Sequence, residues 1–115
     1  MKPRKGAAVD PVGSFEEQVM LAVLRTGADA YAVNVRRELE LVTQRSVTIG
    51  SVYITLDRLE AKELVASIRT TARDNAMSRR VFSVTPIGGS ALAETKRLRE
   101  RLWQGVNVRA LRRKV

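Results

Sequence analysis

The sequence has no cysteine and no histidine. The first absence excludes disulfides, thiolate nucleophiles and cysteine zinc sites. The second removes the side chain most used as general base and metal ligand near neutral pH. The remaining carboxylates, lysines and serines form no constellation of acid, base and nucleophile. The chain is therefore not read as an enzyme, and no metal or cofactor is expected. Aromatic residues make up 4% of the chain, with Trp103 the single tryptophan, and no polar cluster marks an effector pocket. No apolar run approaches the roughly 18 residues that a membrane span needs. Met1 to Lys5 is basic, but Gly6 to Pro11 lacks the apolar core of a secretory signal, so a cytoplasmic protein without membrane contact is expected.

Positive charge is abundant. The 115 residues carry a net charge of +9, concentrated in three places. Lys2, Arg4 and Lys5 face only Asp10 in residues 1–13, and Arg109, Arg112, Arg113 and Lys114 face no acid after residue 106. Between Ile68 and Phe82, Arg69, Arg73, Arg79 and Arg80 stand against Asp74 alone. The rest of the chain is balanced, so the excess marks a footprint for a polyanion.

Residues 1–13 contain Pro3, Gly6, Pro11 and Gly13 and are read as a flexible basic arm. Ser14 and Glu17 fit a capping box at the start of a first helix with Phe15, Val19, Ala22 and Val23 on one face, closed by Gly27. Asp29 is expected to cap a second helix reaching about Thr43. Thr48 opens a third, to about Lys62, whose buried stripe is Ile49, Val52, Leu56 and Leu59. Its opposite face holds Gly50, Ser51, Ile54, Asp57 and Arg58, small and polar near the start, so another surface can approach closely. Leu64 to Thr71 and Ser78 to Thr85 have the β-branched content of two strands, joined by a turn over residues 72–77. Thr85 and Pro86 then start a long helix as cap and first helical residue. Its stripe of Ile87, Ala91, Leu92, Thr95, Leu98, Leu102 and Trp103 runs to about Gly105. Such a helix projects beyond a domain of this size, and its far apolar residues need a partner, inferred to be a second copy of the chain.

On periodicity alone, this order fits a winged helix-turn-helix or a compact α+β core that binds no nucleic acid. The residues themselves narrow the choice. The segment from Thr48 to Val65 (TIGSVYITLDRLEAKELV) closely resembles the central motif of PadR-like transcriptional regulators. Phe15 to Leu24 resembles the family's first helix, and Asp29 to Ala32 its second-helix entry. Val81 to Gly88 resembles its second wing strand and the helix start that follows. The likeness spans about Gly13 to Gly105, with two departures, since Glu63 and Ala32 stand where the family commonly has glycine. A left-handed backbone at Glu63 would cost about 1 kcal/mol or more, which points to a locally different turn.

The resemblance implies a mainly α (α+β) winged helix-turn-helix, three helices plus a two-stranded β-wing, followed by a long C-terminal dimerisation helix. The corresponding divisions are an arm over 1–13, a winged-helix domain over 14–85, the dimerisation helix over 86–106 and a basic tail over 107–115. It further implies a homodimeric regulator, usually a repressor, bound to a palindromic operator in double-stranded DNA. Thr48, Gly50, Ser51, Tyr53, Ile54 and Arg58 would face the major groove, with Arg73, Arg79 and Arg80 on phosphates. Phe15, Val19, Leu92, Leu98, Leu102 and Trp103 would form the dimer interface. In some relatives, aromatic residues of the last helix line a ligand space; Trp103 is read as interface packing, and whether an effector exists stays open. A winged helix that binds another protein, or one that binds RNA, remains an alternative.

Overall fold

A computed structural model describes residues 10–71 and 78–113. The turn expected over residues 72–77, with Arg73, lies outside the described residues, as do residues 1–9 and 114–115. The order is α1 (Ser14–Thr26), a 3-10 turn (Gly27–Asp29), α2 (Ala32–Thr43), α3 (Ile49–Ala61), β1 (Val65–Thr71), β2 (Ser78–Val84), α4 (Pro86–Trp103) and α5 (Arg109–Arg113). The two strands form one antiparallel ladder with Val65 opposite Val84, Ser67 opposite Phe82 and Arg69 opposite Arg80. Three helices followed by this hairpin make a winged helix.

One apolar cluster holds the fold together. It draws Val19, Met20 and Val23 from α1, Val35 and Leu39 from α2, and Val52, Leu56 and Leu59 from α3, and Phe82 of the wing closes it. Val19 has no exposed surface. It is committed to the chain's own core, which corrects its expected place at the dimer interface. The 3-10 turn delays the start of α2 to Ala32, and the buried Ala30 between them accepts a hydrogen bond from Phe82 N–H at 3.0 Å through its carbonyl. Asp29 is therefore not the cap of α2, whose N-cap is Tyr31.

The start of α1 also differs from the capping box read at Ser14 and Glu17. Gly13 is the N-cap, and its N–H donates to Glu16 Oε1 at 3.2 Å. Lys62 Nζ donates to the other Glu16 oxygen at 2.9 Å, tying α1 to the end of α3. Glu17 instead meets Arg99 of α4 at 2.6 Å. Residues 10–13 are not all free arm, since Val12 packs on the core and its N–H donates to Thr95 Oγ1 at 3.0 Å.

Burial works against the charge on Glu16, but the hydrogen bonds from Lys62 and Gly13, with the fields of Lys62 and Arg58, outweigh it and lower the pKa below the ordinary 4.5. A carboxyl with a lowered folded pKa stabilises the fold above its unfolded value and loses that contribution as pH falls through the folded one. Stability should therefore decline as pH drops below 4.5, and Glu16→Gln should remove that part of the decline in acid-unfolding curves. A curve identical to that of the parent chain would count against the Lys62 pairing.

The exit from α3 forms a Schellman motif. Leu64 N–H reaches Leu59 O and Glu63 N–H reaches Glu60 O, each at 2.9 Å. The residue at the turn is Glu63, with φ at +64°. The turn thus keeps the left-handed geometry that glycine favours, which corrects the expectation of a local difference. Glu63→Gly should stabilise the protein by about 0.5–1 kcal/mol, the left-handed penalty less glycine's larger unfolded-state entropy. Urea unfolding reads that change, and a loss of stability would mean that the Glu63 side chain contributes more than its backbone costs.

Thr85 and Pro86 open α4 as the sequence predicts, with Thr85 Oγ1 accepting from Gly88 N–H at 2.9 Å. Burial then fades along the helix. Gly88 and Ala91 are buried, and Leu92 and Leu98 are half-buried. Leu102 and Trp103 are 78% and 53% exposed. The expected basic tail after residue 106 is partly helical, because Asn107 Oδ1 accepts from Arg109 N–H at 2.9 Å at the start of α5.

Candidate nucleic-acid interface

The first turn of α3 is held by two reciprocal bonds. Thr48 Oγ1 accepts from Ser51 N–H at 3.1 Å, and Ser51 Oγ donates to Thr48 O at 2.9 Å. Each hydroxyl keeps half of its capacity: Thr48 can still donate outward, and Ser51 can still accept. A Cβ added at Gly50 would meet nothing within 4 Å, so no neighbour inside the chain requires glycine there. Tyr53, Ile54, Asp57 and Arg58 continue this face as exposed residues, while Val52, Thr55, Leu56 and Leu59 turn inward. The helix therefore offers a small, open start followed by larger side chains.

Beside it, a cleft of about 640 Å³ runs between the start of α2, Tyr53 and the wing, and Arg37, Arg69, Arg79 and Arg80 all line it. Arg79 lies over the Tyr31 ring, its guanidinium carbon 4.8 Å from the ring centre. Arg37 donates to Asn34 Oδ1 at 2.8 Å, and Asn34 Nδ2 donates to Asp29 O at 2.8 Å. Arg69 donates to Ser78 Oγ at 3.2 Å. These contacts leave most guanidinium donors of Arg37, Arg69 and Arg79 available to an incoming group.

Arg80 differs. It is bonded to Asp57 Oδ1 at 3.0 Å and Glu60 Oε1 at 2.6 Å. Burial disfavours its charge, but the two carboxylates more than compensate and raise its pKa above that of a free arginine. Glu60 is thus a long-range partner of the wing and more than a local neighbour of Arg58.

Of the residues read from the sequence as DNA-facing, Thr48, Gly50, Ser51, Tyr53, Ile54 and Arg58 share the outer side of α3, and Arg79 stands across the cleft from Tyr53. Tyr31, Asn34 and Arg37 were missed. Their signal is the Asn34–Arg37 step of one helical turn beginning just after a tyrosine. Asp57 and Glu60 were missed as partners of Arg80; two acids one turn apart on a helix meant for a polyanion already call for a cation. Among the described residues, no group of three or more acidic, cysteine or histidine side chains is placed to hold a metal ion, and no helix is long and apolar enough to cross a membrane.

The model of the transcriptional regulator PadR-like family matches residues 20–94. The chain belongs to this family. No curated protein matches the sequence, whereas solved structures do. A PadR-like transcription factor from Bacteroides fragilis is 24% identical with a TM-score of 0.68, covering 78% of this chain and 84% of that one. A PadR family transcription regulator from Clostridium difficile R20291 is 20% identical with a TM-score of 0.59, covering 79% of this chain and 96% of that one. The Bordetella bronchiseptica regulator BpsR, whose DNA binding is regulated by 6-hydroxynicotinic acid, is 18% identical with a TM-score of 0.57, covering 84% of this chain and 68% of that one. At these identities the likeness shows a shared fold.

Proposed function

We propose that the chain is a transcriptional repressor that binds a palindromic operator in double-stranded DNA as a homodimer. The observation that carries this reading is the pairing of an open, polar α3 face with the arginine-lined cleft beside it. A helix of this kind fits the major groove, where Thr48 and Ser51 hydrogen-bond, Ile54 meets a thymine methyl and Arg58 reaches a base edge or phosphate. Arg37, Arg69 and Arg79 meet the backbone on either side.

Dimerisation rests on the exposed end of α4, where Leu102 and Trp103 lie beyond the core. Leu98, Leu92 and Phe15 are half-buried and can complete the contact. Leu21 and Leu24 are exposed as well and continue the face of α1 that begins with Glu17 and its ion pair to Arg99 of α4. With Val42 they line an apolar groove of about 380 Å³ between α1 and α2. A second copy covering these strips would bring two α3 helices into successive major grooves, about 34–36 Å apart. Repression then follows from occupying a promoter, and the protein acts where the chromosome is.

Fluorescence anisotropy with duplexes tiling the DNA upstream of the protein's own gene tests this reading against random duplex. One tile bound about a thousandfold more tightly than random DNA supports it; a folded protein that binds no duplex at near-physiological salt refutes it. Gly50→Ala should leave stability unchanged or raise it by up to about 1 kcal/mol yet weaken the preferred tile, because the added methyl stands where DNA comes closest. Arg79→Gln should weaken preferred and random duplexes alike and lower the salt slope by about one. Unchanged tile binding by Gly50→Ala would place DNA elsewhere on the chain.

A further inference from the structure

The two neighbouring arginines of β2 do different work. Strand alternation turns Arg80 to the side of Phe82, toward α3, and Arg79 to the other side, over Tyr31. The Arg80 guanidinium holds Asp57 through one terminal nitrogen and Glu60 through the other, and its carbon sits 4.7 Å from the centre of the buried Phe82 ring. Glu60 is gripped a second time, by Ser67 Oγ at 3.1 and 2.9 Å from its two oxygens. Ser67 belongs to β1 and Arg80 to β2, so one carboxylate of α3 fastens both strands of the wing.

The charges point the same way. Arg69 stands directly opposite Arg80 in the ladder, and like charges in that relation repel. Two carboxylates on Arg80 remove the repulsion and leave the Arg80–Asp57–Glu60 group with a net negative charge. A phosphate approaching that group meets repulsion and must displace a carboxylate to reach a terminal nitrogen. Arg69 and Arg79, by contrast, lie exposed along the cleft. A two-stranded hairpin alone is marginally stable, and the deeply buried side chains of this one, Val65 and Phe82, sit at its base. The Arg80 group is a charged tie that reaches further out, to α3.

We infer that Arg80 is a positioning residue and not a phosphate ligand: with Asp57, Glu60 and Ser67 it fixes the wing to the recognition helix, so that Arg69 and Arg79 meet the DNA backbone in the register that α3 sets. The inference rests on the DNA-binding reading above and departs from the role expected for Arg80 from the sequence. It makes Asp57 and Glu60, acids beside a DNA-facing surface, contributors to sequence preference.

The test uses the full chain with Arg80→Gln, Glu60→Gln, their double variant and Arg79→Gln. In the free protein, hydrogen exchange of β1 and β2 amides should rise about tenfold in both single variants while α1 stays protected. The double variant should exchange no faster than either single one, because both break the same tie. On random duplex, Arg79→Gln should lower the salt slope by about one, whereas Arg80→Gln should leave it unchanged. On the preferred upstream tile, Arg80→Gln and Glu60→Gln should each lose about tenfold of the preference over random duplex. A salt slope lowered by Arg80→Gln as by Arg79→Gln, or strand exchange unchanged in both variants, would overturn the inference. A parent chain that binds no duplex would sink the DNA reading instead, and the exchange data would still decide whether the tie exists.

Discussion

Gly88→Ala is expected to cost the fold about 3 kcal/mol or more, at the upper end of what overpacking produces, while Gly89→Ala adds about 0.5–1 kcal/mol of stability. A Cβ at Gly88 would lie 2.0 Å from Leu64 O and 2.9 Å from Val84 Cγ1. The carbonyl cannot retreat freely, because it accepts from Thr85 N–H at 3.0 Å and from Thr85 Oγ1 at 3.1 Å. The first turn of α4, the entry to β1 and the end of β2 meet at that point, and the contact requires a residue with no side chain. Gly89 has nothing within 4 Å of its added Cβ, so alanine there brings only its better helix propensity. Urea unfolding of both variants at matched chain concentration separates the two, since dimer stability depends on concentration. A Gly88→Ala cost under about 1 kcal/mol would mean that α4 starts further from β1 than described, because a clash of this kind ordinarily costs more.

The second large effect concerns assembly. Leu102→Glu combined with Trp103→Glu should convert a dimer to monomers in sedimentation velocity without unfolding the winged-helix core, because neither residue belongs to that core. Two linked half-sites bind more tightly than one by about 10²–10⁴, so the variant should lose roughly that factor on a preferred duplex while retaining weak, salt-sensitive binding to random DNA. A variant that remains dimeric would move the interface away from the end of α4. A variant that is monomeric but binds the preferred duplex undiminished would remove the need for a dimer.

The elements with strong local signals were legible in the sequence. Thr48 caps α3 and Val52, Leu56 and Leu59 turn inward, because a helical period and a capping hydroxyl act over a few residues. Thr85 and Pro86 mark the start of α4 for the same reason. Where several local solutions competed, the reading failed. Glu16 and Glu17 are both able to reach a helix-start N–H, and the choice went to Glu16 because Lys62, distant in sequence, holds it there. Val19 to Leu24 is apolar throughout, so no period distinguishes core from surface; Val19, expected at the dimer interface, is buried in the core, while Leu21 is exposed. At Glu63 the local penalty was weighed correctly, but three backbone hydrogen bonds from Lys62 to Leu64 close the end of α3 and hold the turn. The Arg80 group joins residues 20 and 23 positions apart, a pairing that no periodicity contains. The α3 face was therefore readable from the sequence, while its fastening to the wing needed the fold.

The central claim, that paired copies read DNA through two α3 helices, is tested most directly by selection from randomised duplexes with the full chain, sequencing what is retained at near-physiological salt. The account predicts an enriched inverted repeat whose half-site centres lie about 10–10.5 base pairs apart, or a multiple of that spacing. No enrichment, or enrichment of a single asymmetric site, would contradict it.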